Sequence, residues 1–335
     1  MKGNKSKIIF FIRKKRKIGN NSIENYFNTV VSNVNTEFDS KLIAMPFFSN
    51  GLINMVLNSI FCFFNQGDVN HVTGDIHYVT IFLKKSKTIL TIHDCGRILD
   101  LSGIKLSIYK LLWFDLPINK SRFITTVSEY SKEEILKYTN CKIDKINVIH
   151  VCNDEDFKKR PEKIISEIPI ILQIGTTKNK NLENLIIALK NLKIKLIIIG
   201  PVSHKINKLL KNYVFAYEVF DYNLSKNELI DQYYKSDILT FVSTLEGFGM
   251  PIIEANSIGI PVLTSYITSM PEIAGEAALM VNPYDINEIK SGLLKLISDS
   301  VYRNDLIIKG FQNTTRFNSK IITNEFIKLY KKILN

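Results

Sequence analysis

Short apolar runs rich in Ile, Val and Leu alternate along this chain with segments that have helical periodicity. Strands that are connected through helices pair in parallel, and the helices then cover both faces of the sheet. Twelve such runs in two sets of six predict an α/β protein with two doubly wound sheets. The predicted strands are 7–12, 41–45, 69–72, 88–92, 123–127 and 146–151, followed by 170–174, 195–199, 214–220, 237–242, 261–264 and 277–281.

The two sets of strands are separated by residues 154–167, with the sequence DEDFKKRPEKIISE. This stretch is highly charged, contains a proline and has no strand pattern, which is typical of a domain boundary. We therefore predict one domain over residues 1–157 and a second over 158–318, with a last helix in 319–335. Ligands of open parallel sheets bind beyond the carboxyl ends of the strands, so we expect a cleft between the domains.

Charge is distributed unevenly along the 335 residues. Residues 1–150 contain 21 Lys and Arg against 12 Asp and Glu, a net +9, whereas the remainder contains 23 against 20, a net +3. A basic first half predicts a phosphate-bearing or anionic partner. Nucleic acid is not expected, because the chain has no zinc-ligand spacing, no RNP-like aromatic pattern and no clear recognition helix.

Cysteine usage and the N-terminus both indicate a cytoplasmic location. The four cysteines, Cys62, Cys95, Cys141 and Cys152, are scattered, which is typical of reduced thiols. The apolar stretch from Ile8 to Ile12 is too short for the core of a signal peptide. The basic run from Arg13 to Lys17 follows at once, so we predict a first strand and a basic loop.

The segment from Ser243 to Asp285, STLEGFGMPIIEANSIGIPVLTSYITSMPEIAGEAALMVNPYD, carries the clearest chemical signal. Gly247-Phe248-Gly249 lies between Glu246 and Glu254, which are eight positions apart. The predicted strand 237–242 precedes the glycines and a helical pattern follows them. The backbone N–H groups at such a helix start can approach an anion, and the helix dipole favours negative charge there.

Glu254 is predicted to lie about two turns into that helix. Its carboxylate offers two acceptor oxygens, which suit a pair of vicinal hydroxyl groups. A phosphate site next to a diol site describes a nucleotide sugar. Taken alone, Glu254 would more often be a surface carboxylate.

A second loop, in the sequence IILQIGTTKNKNL of residues 170–182, has related features. A buried strand ends at Gly175, and a helix is predicted to begin near Asn181. Lys180 at the helix entrance can meet a diphosphate as a point charge. Lys178 is the alternative cation for a phosphate, although both lysines could simply be solvated.

These motifs resemble the donor-binding core of family 4 glycosyltransferases, which are retaining enzymes with the GT-B fold. The run EGFGMPIIEA resembles the E-x7-E motif of that family, and SYITSMPEIAGEAALMVNPYD resembles its continuation. Many members carry Arg directly after the glycine of the first donor loop, where this chain has Thr176. The resemblance implies two Rossmann-like domains facing a cleft, with the acceptor bound by the first and the nucleotide sugar by the second. It also implies that the last helix, Ser319 to Leu334, crosses back onto the first domain.

The resemblance also implies roles for individual residues. Gly175, Lys180 and Gly247-Phe248-Gly249 would bind the donor diphosphate, and Glu254 the ribose hydroxyls. Catalytic roles fall on Glu246, which would face the sugar, and on His93, which ends a predicted strand. The family needs no metal, because helix N-termini and a lysine stabilise the leaving group.

Three further residues are candidates for the acceptor site or its loops. Asp94 follows His93 and could receive an acceptor hydroxyl. Ser128 ends another strand of the first domain, although it is equally suited to cap the next helix. Gly19 falls in a loop that is usually glycine-rich in the family and closes over donor and acceptor.

Asp154-Glu155-Asp156 spells D-x-D, the metal motif of a different glycosyltransferase fold. It lies in the predicted linker rather than after a buried strand, so we do not expect it to bind a metal. No metal or other cofactor is expected elsewhere, because no cluster of His, Cys and carboxylates is visible.

The apolar segment Phe47 to Phe64, FFSNGLINMVLNSIFCFF, is about long enough to span a bilayer. Asn50, Asn54 and Asn58 recur every four residues, which predicts one polar stripe on an amphipathic helix. One interpretation is a helix packed on the sheet, and the other is a helix that contacts a membrane interface.

Together these observations predict a metal-independent hexosyltransferase that uses a nucleoside diphosphate sugar. The expected acceptor is a glycan, in particular a lipid-linked intermediate of bacterial surface polysaccharide synthesis, at the inner face of the membrane. A nucleotide-sugar epimerase on the same fold and a non-catalytic nucleotide-sugar binding protein are the alternatives. The base, the sugar and the linkage stay open.

Overall fold

The structure is a computed structural model that describes residues 5–15, 22–222 and 224–335. The described chain divides into two compact units. The first unit contains residues 5–15, 22–152 and 318–335, and the second contains 153–222 and 224–317. Gly19, Arg16 and Lys17 lie outside the described residues.

The first unit contains a parallel sheet of six strands in the order β2-β1-β3-β4-β5-β6. These strands are β1 (Lys7–Ile12), β2 (Asp39–Ala44), β3 (Val69–Val72), β4 (Thr88–Ile92), β5 (Phe123–Thr126) and β6 (Ile146–Val148). Its described helices are α1 (Ser22–Val34), α2 (Leu52–Phe64), α3 (Gly103–Lys110), α4 (Leu116–Asn119), α5 (Glu129–Tyr138) and the last helix of the chain, α13 (Ser319–Leu334).

The second unit also contains a parallel sheet of six strands, in the order β12-β11-β10-β7-β8-β9. Its strands are β7 (Ile170–Ile174), β8 (Lys195–Ile199), β9 (Ala216–Phe220), β10 (Ile238–Phe241), β11 (Val262–Ser265) and β12 (Leu279–Val281). Its helices within the described residues are α6 (Leu182–Ala188), α7 (His204–Tyr213), α8 (Lys226–Lys235), α9 (Met250–Ile258), α10 (Met270–Ala274), α11 (Ile286–Ser298) and α12 (Ser300–Thr314).

The predicted fold class is confirmed, and each predicted strand has a counterpart in the structure. The largest difference is at β6, which was predicted to continue to Val151 but ends at Val148. The Ile149 N–H still bonds the Thr126 carbonyl at 2.8 Å, and both Ile149 and Val151 are buried. Because Ile149 and Val151 are buried, the sequence has the apolar pattern of a strand up to Val151. The hydrogen-bonded pairing with β5 has already ended by then.

Each sheet has one position where the strand order reverses, which is where ligands bind in open α/β sheets. In the first sheet this position lies between β1 and β3, and in the second it lies between β7 and β10. The loops that follow β7 and β10 are the ones that contain Lys180 and Gly247–Gly249.

Helix α13 belongs to the first unit, where it packs against α1. Its Tyr330 hydroxyl is 2.8 Å from Nδ1 of His71, and the other ring nitrogen is 2.7 Å from the Thr91 hydroxyl. Burial, together with the neighbouring His93, lowers the pKa of His71 to about 3. His71 is therefore a neutral core residue that ties α13 to β3 and β4.

Helix α2 is amphipathic as predicted, but the predicted polar stripe faces inward only at Asn58, whereas Asn50 and Asn54 lie at the surface. Asn58 is fully buried and bonds the backbone of Phe47 through both ends of its amide, at 3.1 and 3.0 Å. It also donates to the Tyr78 hydroxyl at 3.0 Å. The apolar side chains point the other way: Leu52, Ile53, Val56, Leu57, Ile60, Phe63 and Phe64 are exposed. Among the described residues, no helix has both the length and the apolar character that crossing a bilayer requires.

Replacing Asn58 with Ala should lower the free energy of unfolding by about 2 kcal/mol, because the buried Phe47 backbone groups lose their partners. Asn54→Ala is the matched control, since Asn54 bonds only the neighbouring Asn50 at the surface. Its effect should stay within about 0.5 kcal/mol. Chemical denaturation of both variants measures the difference. Equal stability of the two variants would show that Asn58 does not anchor the helix.

Candidate active site

The loop after β10 is held by side chains from two directions. The Ser269 hydroxyl donates to the carbonyls of Glu246 and Phe248 at 3.0 and 2.7 Å. From the loop after β7, the Asn179 amide donates to the Leu245 carbonyl at 2.8 Å, and the Asn179 carbonyl accepts the Thr244 N–H. These hydrogen bonds fix the conformation of the glycine-containing loop.

Helix α9 begins directly after Gly249, which has a φ of 114° that other residues rarely adopt. The first N–H groups of a helix have no α-helical acceptor. In α9, however, Pro251 has no N–H and the Ile252 N–H bonds the Gly249 carbonyl at 3.0 Å, so Met250 supplies the N–H at this helix start, just after the carboxyl end of β10. The Phe248 side chain is buried with its ring edge-on to Phe317 at 5.7 Å. Phe248 could therefore reach a diphosphate through its backbone and not through its ring.

Lys180 and Glu246 form a close ion pair, with 2.6 Å between Nζ and Oε1. The ammonium also lies 4.5 Å from the centre of the Phe241 ring, which favours a cation. Gly175 leaves room for this lysine, because a Cβ there would lie 3.0 Å from the Lys180 side chain. The structure thus brings Gly175, Lys180 and Glu246 together.

Glu254 is the fifth residue of α9, so it lies in the second turn of the helix. The prediction had placed it about two turns into the helix. Its Oε2 accepts a hydrogen bond of 2.5 Å from the buried Tyr233 hydroxyl of α8. Burial raises the pKa of Glu254 to about 7, although the Tyr233 hydrogen bond acts in the opposite direction. Asp154 adds to the rise, and Lys180 and Lys226 oppose it. One carboxylate oxygen is thus held by Tyr233, while the other is left for a ligand hydroxyl.

The D-x-D sequence belongs to the second unit rather than to a separate linker. Lys226 bonds Asp154 at 2.6 Å and also contacts the carboxylate of Asp156. Lys163, farther along the same stretch, pairs with the buried Asp237 at 2.8 Å. Across the described ranges 5–15, 22–222 and 224–335, no three His, Cys, Asp or Glu side chains are grouped as metal ligands.

His93 and Asp94 border a cavity of about 190 Å³ in the first unit, at the carboxyl ends of β1, β3 and β4. The Nε2 atom of His93 is buried and has no hydrogen-bond partner among the described residues. Burial, followed by His77 and Arg13, lowers the pKa of His93 to about 3, so the ring is neutral. Asp94 is exposed, and one of its oxygens accepts the Gly96 N–H at 2.9 Å. A neutral imidazole and a carboxylate at one cavity can both bind sugar hydroxyls.

The structure gives less support to the other residues predicted for the acceptor site and its loops. Ser128 caps helix α5 by accepting the Ser131 N–H at 3.0 Å, so the structure supports the capping interpretation. Gly19 lies outside the described residues. Arg13, predicted in a basic loop, is largely buried and pairs with Glu24 at 2.8 Å.

Sequence reasoning missed Tyr233, Asn179, Ser269 and Lys226. Tyr233 and Lys226 are distant in sequence from Glu254, and only the packing of α8 shows that Tyr233 meets its carboxylate. Asn179 and Ser269 act through backbone carbonyls, for which no sequence pattern is specific. A buried tyrosine usually has a hydrogen-bond partner for its hydroxyl, and this rule could have pointed to Tyr233.

The chain is similar in sequence to known glycosyltransferases. Residues 154–313 match the family model described as glycosyl transferases group 1. This match covers nearly all of the second unit. The chain is 25% identical over 237 residues to O-antigen chain mannosyltransferase B of Escherichia coli, and 29% identical over 239 residues to O-antigen chain mannosyltransferase RfbU of Salmonella typhimurium. These matches cover 64% and 67% of this chain, and the chain spans 61% and 65% of the lengths of the two relatives.

Solved structures place the group 1 domain and the first unit in one known fold. Anabaena HepE in complex with UDP and glucose superposes over 98% of this chain and all of that chain, with a TM-score of 0.79 at 13% identity. WaaG, a glycosyltransferase involved in lipopolysaccharide biosynthesis, superposes with a TM-score of 0.71 at 15% identity. The superposition includes 96% of this chain and 99% of WaaG. The chain therefore has the fold of GT-B glycosyltransferases.

The raised pKa of Glu254 predicts a pH-dependent stability. In the unfolded chain the carboxyl titrates near 4.5, whereas the folded protein retains its proton up to a pH of about 7. Stability should therefore be full below pH 4.5, fall as the pH rises to about 7, and then level off. Calorimetry at pH 5 and 8 should show a smaller loss of thermal midpoint for Glu254→Gln than for the unaltered protein.

The exposed Glu162→Gln is the control for this measurement, and it should keep the loss seen in the unaltered protein. A Glu254→Gln protein with an unchanged pH profile would contradict the buried environment described for this carboxyl.

Proposed function

We propose that the protein is a retaining glycosyltransferase that moves a sugar from a nucleoside diphosphate sugar to a glycan acceptor. The single observation that carries this proposal is the assembly of Lys180, Glu246, Gly247–Gly249 and Glu254 around the strand-order reversal of the second sheet. This set offers a cation, helix N–H groups and a diol acceptor, which is the complement of a nucleoside diphosphate.

In the proposed reaction the bond between the anomeric carbon and the phosphate oxygen breaks. The acceptor oxygen bonds the anomeric carbon on the same face, and its proton passes to the leaving phosphate. Lys180 and the N–H groups of Gly249 and Met250 stabilise the charge that develops on the diphosphate. The diphosphate would draw the Lys180 ammonium from Glu246, and this frees the Glu246 carboxylate to face the sugar.

His93 and Asp94 are the proposed contacts for sugar and acceptor hydroxyls in the first unit. We propose that the reaction uses no metal cofactor, because the Lys180 ammonium would itself stabilise the leaving group. The relatives named as O-antigen mannosyltransferases favour mannose as the first sugar to test, and a lipid-linked glycan of bacterial surface polysaccharide synthesis as the acceptor. An epimerase or a simple binding protein would use the same donor contacts but would transfer no sugar.

The test is transfer of a radiolabelled sugar from a panel of nucleotide sugars to lipid-linked glycan acceptors, with EDTA present. We expect transfer from one donor, and a roughly 10- to 100-fold lower kcat/KM for Lys180→Ala, since a charge-assisted contact contributes about 1.5–3 kcal/mol. Lys178→Ala is the matched control in the same loop, where the side chain is exposed, and it should retain most activity.

Release of an altered nucleotide sugar without transfer would favour the epimerase, and nucleotide binding without either reaction would favour the binding protein. Loss of activity in EDTA with recovery in Mg²⁺ would contradict metal independence.

We further propose that the first unit binds an anionic membrane surface through helix α2. The segment Phe47–Phe64 contains no charged residue, and its exposed apolar side chains include Ile53 and Phe64, which are 78% and 79% exposed. Soluble proteins seldom leave such a continuous apolar face to water. Lys14 lies 5.2 Å over the ring of Phe48 beside this face, where a cation would meet lipid phosphates.

Vesicle co-sedimentation tests this surface. The double variant Ile53→Asp/Phe64→Asp should bind anionic vesicles at least about tenfold less, because two charges cannot enter the apolar layer. Val301→Asp/Ile308→Asp replaces two exposed residues of helix α12 and serves as the control. Binding of the unaltered protein should weaken in 0.5 M salt, where the Debye length is only about 4–5 Å. Equal binding of both double variants would exclude α2 as the contact surface.

A further inference from the structure

A large basic cavity lies at the opposite edge of the first sheet from His93. It has a volume of about 1000 Å³ and lies where strands β4, β5 and β6 begin. Six cationic side chains line it, whereas Asp144 is the one acidic residue among the lining residues. The cations are Lys84, Lys85, Lys87, Arg122, Lys142 and Lys145.

These cations converge from three separate parts of the chain. Lys84 to Lys87 precede β4, Arg122 precedes β5, and Lys142 and Lys145 precede β6. Because the amino ends of parallel neighbouring strands meet at one edge, the sheet itself gathers the charges. The cavity therefore differs from a simple run of solvated lysines.

Most of these charges lack a counter-charge within the described residues. Lys87 lies 3.7 Å from Asp68, but none of the other five has a carboxylate within 4 Å among the described residues. In the second unit, by contrast, Lys180 and Lys226 each pair with carboxylates. Positive charge at this edge is thus concentrated without being neutralised.

Two of the cations are held in place by backbone groups. The half-buried Lys145 donates to the Ile118 carbonyl, and the Arg122 guanidinium lies 3.5 Å from the Ser86 carbonyl. Burial and repulsion from Lys85 hold the pKa of Lys145 below its usual value, although Cys141 and Asp144 act in the opposite direction. An anion in the cavity would stabilise the charged form of Lys145 against both its burial and its repulsion from Lys85.

The cavity also adjoins the exposed apolar helix. The Lys84 N–H donates to the Gln66 side chain at 3.1 Å, and Gln66 in turn bonds the carbonyl of Phe63 at the end of α2. Phe63, Phe64 and Phe82, close to this junction in sequence, are all exposed. A phosphate held by the cavity can therefore come from a lipid headgroup as well as from a free compound.

We infer that this cavity binds a ligand that carries clustered phosphate groups. The site is separate from the donor loops, which lie in the other unit, and its recognition depends on neither the sugar nor the acceptor. Arg122 can bind one phosphate through two N–H groups, and the lysines supply point charges around it.

The first test is binding of tripolyphosphate, measured by calorimetry in a Lys180→Ala background that weakens the proposed donor site. Lys85→Glu/Lys142→Glu should weaken binding at least tenfold, because it reverses two exposed cavity charges. Neither side chain makes a hydrogen bond or an ion pair within the described residues. Lys41→Glu/Lys320→Glu changes the net charge of the same unit by the same amount at exposed positions outside the cavity, and it should change affinity less than twofold. Hydrogen exchange of the unaltered protein should show protection of residues 84–87 and 142–145 by tripolyphosphate.

The second arm uses phosphatidylglycerol and phosphatidylcholine vesicles with the same two double variants. Loss of phosphatidylglycerol binding in the cavity variant alone would assign the phosphates to lipid headgroups. Unchanged vesicle binding with lost tripolyphosphate binding would assign them to a soluble compound. Equal behaviour of the two double variants towards both probes, without protection in hydrogen exchange, would overturn the inference. None of these readouts uses transferase activity, so the result is independent of the proposed function.

Discussion

The ion pair between Lys180 and Glu246 joins the two loops on which the donor site depends. One loop follows β7 and the other follows β10, and these strands are neighbours only because the strand order of the second sheet reverses there. The pair is short and largely shielded from water, so it fixes both loops relative to α9. A diphosphate that replaces Glu246 as the partner of Lys180 would meet a site that is already formed.

Hydrophobic patterning predicted the two sheets with nearly correct strand bounds, because buried parallel strands are continuous apolar runs. It also predicted Gly249 at the start of a helix and Lys180 beside Gly175. It could not predict contacts that depend on long-range packing, namely the Tyr233 hydrogen bond to Glu254 and the burial of Asn58 against Phe47 and Tyr78. For Ser128 it left open a cleft residue and a helix cap, and the structure has the cap. Residues 154–167, predicted to form the domain boundary, make ion pairs within the second unit through Asp154, Asp156 and Lys163.

The first unit combines three surfaces that the donor chemistry does not explain by itself. A neutral His93, whose Nε2 has no hydrogen-bond partner in the described part of the chain, borders a small cavity at the carboxyl edge, and α2 exposes an apolar face. The amino edge gathers six cations. Apolar contact combined with phosphate recognition is the chemistry that an amphiphilic, phosphate-bearing acceptor or an anionic bilayer requires.

A crystal structure with the nucleoside diphosphate of the transferred sugar would show whether the loops after β7 and β10 bind the donor. We expect diphosphate oxygens within hydrogen-bonding distance of Lys180 Nζ and of the N–H groups of Gly249 and Met250. We also expect the two ribose hydroxyls on the Glu254 oxygen that Tyr233 leaves open. A nucleotide bound elsewhere, or one whose ribose does not contact Glu254, would contradict the assignment of this site.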